Sequence, residues 1–192
     1  MDREVIPNAH LLEQKDEYPL DLIEKLKTLG VFSATIPEKY GGLGLDFLTY
    51  VQIIEELSRG WMSLAGIVNT HILVAYMIVT SGTEEQRHRF LPVMARGDKR
   101  GGICISEANA GSDVQAITMT AERDDGEYVL NGAKLWVTNG VRGSIFAVLA
   151  RTNTNIQPPH RGMSIFLVEK GASGLSVSRT FDKLGYKGVE TA

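Results

Sequence analysis

From Pro19 to Gly30 the apolar residues Leu20, Ile23, Leu26 and Leu29 recur at three-residue spacing among charged ones. That spacing puts them on one face of a helix. Pro19 suits its first turn and Gly30 its stop. Val31 to Pro37 is a short apolar connector, and Lys39-Tyr40-Gly41-Gly42-Leu43-Gly44 is a glycine-rich loop. A second helix is predicted from near Phe47 to about Arg59, with Val51, Ile54 and Leu57 on one face and Glu55 and Glu56 on the other. Trp61 to Val79 is apolar nearly all round, the pattern of a central buried helix. Thr83-Glu84-Glu85-Gln86 has the form of a capping box and opens a helix to about Ala95, in which Pro92 predicts a kink or an early end.

The period changes at Gly97-Asp98. Beyond it the pattern is that of strands: Gly101 to Ser106, Ile117 to Glu122, Glu127 to Leu130, Lys134 to Thr138, Ser144 to Arg151, Met163 to Lys170 and Leu175 to Phe181. Ile117, Met119 and Ala121 share one face. Asn131-Gly132 carries a strong hairpin signal, and a second Asn-Gly follows at Asn139-Gly140. Thr152 to Arg161, with Pro158-Pro159, is a loop. The expected fold class is α+β: an all-helical N-terminal domain over residues 1–98, then an antiparallel β domain, barrel-like or a sandwich, over residues 99–192. No helix alternates with these strands and no GxGxxG follows one, so a doubly wound dinucleotide fold does not match.

Composition narrows the function classes. A chain of 192 residues with 43% apolar residues can bury an ample core, and a net charge of −3 gives no footprint for nucleic acid. The single cysteine, Cys104, excludes an intrachain disulfide and a multi-cysteine metal site. Its apolar neighbours mark a buried, inert thiol, and a reducing compartment fits. The N-terminal stretch is acidic, with no uninterrupted apolar core, so it is not a secretory signal. Asn69, Thr70 and His71 interrupt the longest apolar stretch and argue against a membrane span. His71, with no second ligand residue at metal spacing, reads as a hydrogen-bonded core histidine. His10, His88 and His160 lie in polar surroundings.

Two runs remain for chemistry. Gly102-Ile103-Cys104-Ile105-Ser106-Glu107 leads into the small-residue loop Ala108-Asn109-Ala110-Gly111-Ser112-Asp113. Ser106 can bond the edge of a heterocycle, and Gly111 and Ser112 can offer N–H and O–H groups to a pyrophosphate. The same residues also make an ordinary turn. In Trp136-Val137-Thr138-Asn139-Gly140 the indole can pack on a flat ring, and strand alternation would put Thr138 on the same surface. The alternative is a core tryptophan followed by a hairpin turn. The residues alone thus allow a planar, phosphate-bearing ligand and name no reaction.

Five ordered stretches resemble the acyl-CoA dehydrogenase family: Ile36 to Phe47, Gly82 to Pro92, Ile105 to Asp113, Lys134 to Gly140 and Lys183 to Thr191. The resemblance implies FAD-dependent α,β-dehydrogenation of an acyl-CoA thioester, with an electron-transfer flavoprotein as acceptor, in fatty acid β-oxidation. It implies flavin-ring contacts at Ile103, Ile105 and Ser106 and cofactor-pyrophosphate contacts at Gly111 and Ser112, Ser112 also meeting the CoA substrate. It implies ring packing at Trp136, a contact at Val137, and a hydroxyl near flavin N5 at Thr138. Ala108 stands where the family has proline, and Ser106 where threonine is common. Relatives are tetramers or dimers, bacterial or mitochondrial, so a homo-oligomer in the cytoplasm or the matrix is expected. The resemblance puts the catalytic glutamate beyond Ala192 and starts the chain inside the first helix, as expected of a fragment. An acyl-CoA oxidase, a flavin monooxygenase or a non-catalytic binding fragment stay open as alternatives.

Overall fold

The computed structural model describes all 192 residues. Helices come first: α1 (Ile6–Lys15), α2 (Leu20–Thr28), α3 (Phe47–Gly60), α4 (Met62–Ser81) and α5 (Glu84–Ala95). Gly30 follows α2 at φ 75°, a left-handed conformation open to glycine without steric cost. Asp46 caps α3 by accepting the Thr49 N–H at 3.0 Å. Thr83 and Gln86 form the capping box of α5. Pro92 does not end α5 early: the helix runs on to Ala95, with Leu91 and Met94 buried on either side of the proline.

Helix α4 is the hub. It buries Leu64, Ile67, Val68, Ile72, Val74 and Ile78. By length and composition it could cross a membrane, yet these side chains are covered by the chain itself. Val5, Ile23, Phe32, Tyr50 and Leu57 close over its first half. Phe90, Leu91 and Met94 of α5 cover its second half together with the sheet.

The strands are β1 (Gly101–Cys104), β2 (Thr120–Asp124), β3 (Glu127–Asn131), β4 (Ile145–Arg151) and β5 (Met163–Glu169). They form one mixed sheet, which corrects the expected antiparallel barrel or sandwich. β5 runs antiparallel along the whole of β4, from Ile145↔Glu169 to Arg151↔Met163. β1 lies parallel to β4 from Gly101↔Ile145 to Cys104↔Val148, and β2 joins it in parallel at Thr120↔Arg151. The loop, hairpin and turn between β1 and β4 return the chain in its original direction, and local periodicity carries no record of that return.

Two local expectations also change. The β2–β3 hairpin turns at Asp125-Gly126, with φ 44° and 91°, and not at Asn131-Gly132, where β3 ends. Asp-Gly and Asn-Gly give the same signal, and strand register chose between them. Lys134 to Thr138 and Leu175 to Phe181 are not strands. Trp136 and Asn139 both have φ 61°, a left-handed conformation that no strand accommodates.

The sheet has two apolar faces. Ile145 and Ala147 of β4 meet Val74, Ile78, Leu91 and Met94, while Phe146 and Val148 meet Cys104 and Val137. A Cβ on Gly101 would sit 2.6 Å from Cβ of Val74, so glycine lets β1 lie directly against α4. The C-terminal end of β1 is thereby held at a set distance from the helices.

Candidate functional site

The two runs singled out in the sequence are brought together. The Leu135 N–H donates to the Ser106 carbonyl at 2.9 Å. Lys134 reaches across the same seam, its Nζ donating to the Ile105 carbonyl at 2.9 Å and to Glu107 Oε1 at 2.8 Å. Glu107 also accepts from the Thr118 N–H and hydroxyl, each at 2.7 Å, and from the Met119 N–H at 3.0 Å. Burial by itself would raise the Glu107 carboxyl, but these donors outweigh it and hold the group at about 2.

The internal bonds leave several backbone donors of the two runs free. The carbonyls of Ile105 and Ser106 are engaged, whereas the backbone N–H groups of Ser106, Gly111, Ser112 and Thr138 go to no backbone carbonyl. Ser106 and Thr138 are half-buried, and Gly111 and Ser112 exposed. A Cβ on Gly111 would meet nothing within 4 Å and its φ is not left-handed, so no contact inside the chain demands glycine there. Free N–H and hydroxyl donors beside small residues on two seamed loops suit an anionic, heteroaromatic group, and FAD fits that donor set.

The remaining site residues divide. Ile103 on β1 packs half-buried against the core between α4 and the sheet, and Ile105 follows it at the strand end. Val137 is buried with Cys104, Phe146 and Val148, so its side chain belongs to the core. Its backbone pairs with Ala192: Val137 N–H to Ala192 O at 2.8 Å, Ala192 N–H to Val137 O at 3.1 Å. Trp136 is not the core tryptophan of the alternative reading, because its side chain is 58% exposed. Since the run is no strand, alternation does not place Thr138 on the surface of Trp136.

Sequence reasoning missed three holding residues. The first two are Glu107 and Lys134, whose signal was available: opposite charges set in otherwise small or apolar runs. The third is Asn139, read only as a turn residue. Its buried Nδ2 donates to Gly101 O at 2.9 Å and Ile67 O at 3.1 Å, tying the loop to β1 and α4.

The other singled-out groups are structural. His71 is fully buried between Phe32 O at 3.1 Å and the Gly101 N–H at 3.2 Å. Burial brings its pKa down to about 4, against the opposing bond to Phe32. The ring is therefore neutral at pH 7, with Nε2–H donating and Nδ1 accepting. Burial pushes the Cys104 thiol up to about 12, which leaves it inert.

Comparison with known proteins points the same way. Residues 1–98 match the family described as acyl-CoA dehydrogenase, N-terminal domain, and residues 102–192 the one described as acyl-CoA dehydrogenase, middle domain. The mitochondrial isovaleryl-CoA dehydrogenase of Pongo abelii is 36% identical over 194 residues, spanning 100% of this chain and 46% of that protein. An acyl-CoA dehydrogenase of Bacillus subtilis (strain 168) is 36% identical over 190 residues, spanning 98% of this chain and 50% of that one. A solved acyl-CoA dehydrogenase from Bacillus anthracis, complexed with FAD, superimposes with a TM-score of 0.85 at 34% identity, over 99% of this chain and 32% of that one. The chain thus spans about half the length of the curated relatives it matches.

Proposed function

Because the chain belongs to the acyl-CoA dehydrogenase family, we propose that its two seamed loops bind FAD in an enzyme that oxidises an acyl-CoA thioester to the 2-enoyl-CoA. One observation carries this: the seam between Ser106 and Leu135 joins the loops while leaving the N–H groups of Ser106, Gly111, Ser112 and Thr138 free. In this assignment the helical unit is residues 1–98 and the flavin-binding unit residues 99–192.

When bound, FAD supplies the hydride acceptor. The chain's own groups bind and orient. Ile103, Ile105 and Ser106 meet the ring system at the end of β1. Gly111 and Ser112 donate to the pyrophosphate, and Ser112 also to the CoA substrate. Trp136 packs on the ring, and Val137, anchored in the core and paired with Ala192, holds the main chain beside it. The Thr138 hydroxyl donates to the ring near N5, where negative charge develops. The proton-abstracting carboxylate is assigned to a glutamate outside these 192 residues. Family membership supports an electron-transfer flavoprotein as acceptor, a homo-oligomer, and a location in the bacterial cytoplasm or the mitochondrial matrix.

Titration of the purified protein with FAD, followed by flavin absorbance and fluorescence, tests the binding. Saturable uptake is expected. In a protein that carries these residues together with the assigned glutamate, Thr138→Ala should slow reduction of bound FAD by acyl-CoA on the order of 10²-fold, as for a lost oxyanion-type donor. Failure to take up FAD would overturn the function, and unchanged reduction would overturn the role of Thr138.

A further inference from the structure

Trp136 does not stand free. Its indole is stacked on the Phe181 ring, with centroids 4.1 Å apart and planes at 22°. Phe181 is tied back through the main chain, its N–H donating to Thr191 O at 2.9 Å. Thr191 forms an isolated bridge with Thr138. Trp136, Phe181, Thr191 and Thr138 therefore close a frame, in which the tail, the segment from Phe181 to Ala192, holds both residues assigned to the flavin ring. The Arg179 guanidinium lies 5.2 Å from the Phe181 ring centroid and adds a cation–π contact to the stack. Lys183 Nζ donates to Thr191 Oγ1 at 2.9 Å, pinning the far corner.

An exposed tryptophan on a loop must give up rotamer freedom when a ligand packs on it. Stacking on Phe181 removes that freedom beforehand. It covers one face of the indole, while Trp136 as a whole stays 58% exposed. The backbone at Trp136 is left-handed, φ 61°.

We infer that Phe181 is a positioning residue for the cofactor: its ring sets the Trp136 indole in the pose that receives the flavin. The inference rests on the FAD-binding function proposed above. Phe181 belongs to neither of the two site runs, and it lies 45 positions from Trp136 by their residue numbers. Leu at this position keeps apolar bulk and the main-chain bond to Thr191 while removing the stacking face, and Tyr keeps the face.

The test compares wild-type protein, Phe181→Leu and Phe181→Tyr. Of the two tryptophans, Trp61 is buried, so acrylamide quenching of FAD-free protein reports on Trp136. Phe181→Leu should increase that quenching, weaken FAD binding roughly 3- to 10-fold and change the visible circular dichroism of bound FAD. Phe181→Tyr should restore all three. Wild-type quenching, affinity and dichroism in Phe181→Leu overturn the inference, as does equal impairment by Leu and Tyr. Wild-type protein that takes up no FAD overturns the proposed function itself. Uptake by wild type together with an unchanged Leu variant overturns only the role of Phe181.

Discussion

The ammonium of Lys134 lies 2.8 Å from the carboxylate of Glu107, with side chains only 6% and 7% exposed. It is a buried ion pair whose partners come from the two loops of the candidate site. Such a pair is costly to break from one side, because a buried charge is left without its counter-charge. Lys134→Met should destabilise the fold by about 3–5 kcal/mol in urea unfolding, and Lys134→Met with Glu107→Leu by less than the sum of the singles. Additive losses would show that the two charges act independently. The Glu107 carboxyl is held at about 2, below its ordinary 4.5, so the pair's contribution is whole above about pH 4.5 and is lost as pH falls toward 2.

His71 gives an acid response in a different window. Burial lowers its pKa from 6.5 to about 4, so the unfolded chain binds a proton near pH 6.5 that the folded chain refuses until about 4. Stability should therefore be full above pH 6.5 and fall across that window, by about 3 kcal/mol in all. His71→Gln, which does not titrate, should flatten the fall in urea midpoint over the same range. An identical slope in the two proteins would remove His71 as the cause.

Asn139 combines a left-handed backbone with two buried bonds, to Ile67 O and Gly101 O. Asn139→Gly keeps the conformation and loses the bonds, and Asn139→Ala loses both. Glycine should cost about 1–3 kcal/mol, and alanine about 1 kcal/mol more, by thermal or urea unfolding. Equal losses would mean that the backbone conformation carries no cost at this position.

Gly66 on α4 lies beneath the tail. A Cβ there would sit 1.4 Å from the Tyr186 hydroxyl oxygen. Gly66→Ala should displace the Tyr186 side chain and cost about 1–3 kcal/mol, despite alanine's better helix propensity. Removing the obstruction in Gly66→Ala/Tyr186→Ala should make the glycine-to-alanine step nearly neutral. A step just as costly without the tyrosine side chain would place the clash elsewhere.

Helices α2 to α5 were legible because their signals are local. Leu20, Ile23 and Leu26 keep helical spacing, and Thr83 and Gln86 cap through neighbouring atoms. The sheet was less so. Individual strands are visible in alternation, but the parallel alignment of β1 with β4 depends on where a long connection leads. Ser106, Gly111, Ser112 and Thr138 were recognised as ligand-type residues. The charge of Lys134 and the turn chemistry of Asn139 are local signals, but the partners they hold lie 27 to 72 positions away and are not.

By itself the sequence determined the helical first half, the change of period at Gly97-Asp98, the burial of His71 and Cys104, and the two donor-rich runs. Each follows from residue type and short-range spacing, which act wherever the chain lies. Only the tertiary structure decided that Leu135 meets Ser106, that Lys134 pairs with Glu107, and that Trp136 leaves the core to stack on Phe181. Those are contacts between distant segments. They form because β1 packs against α4, and because the tail returns to pair with Val137 and Thr138.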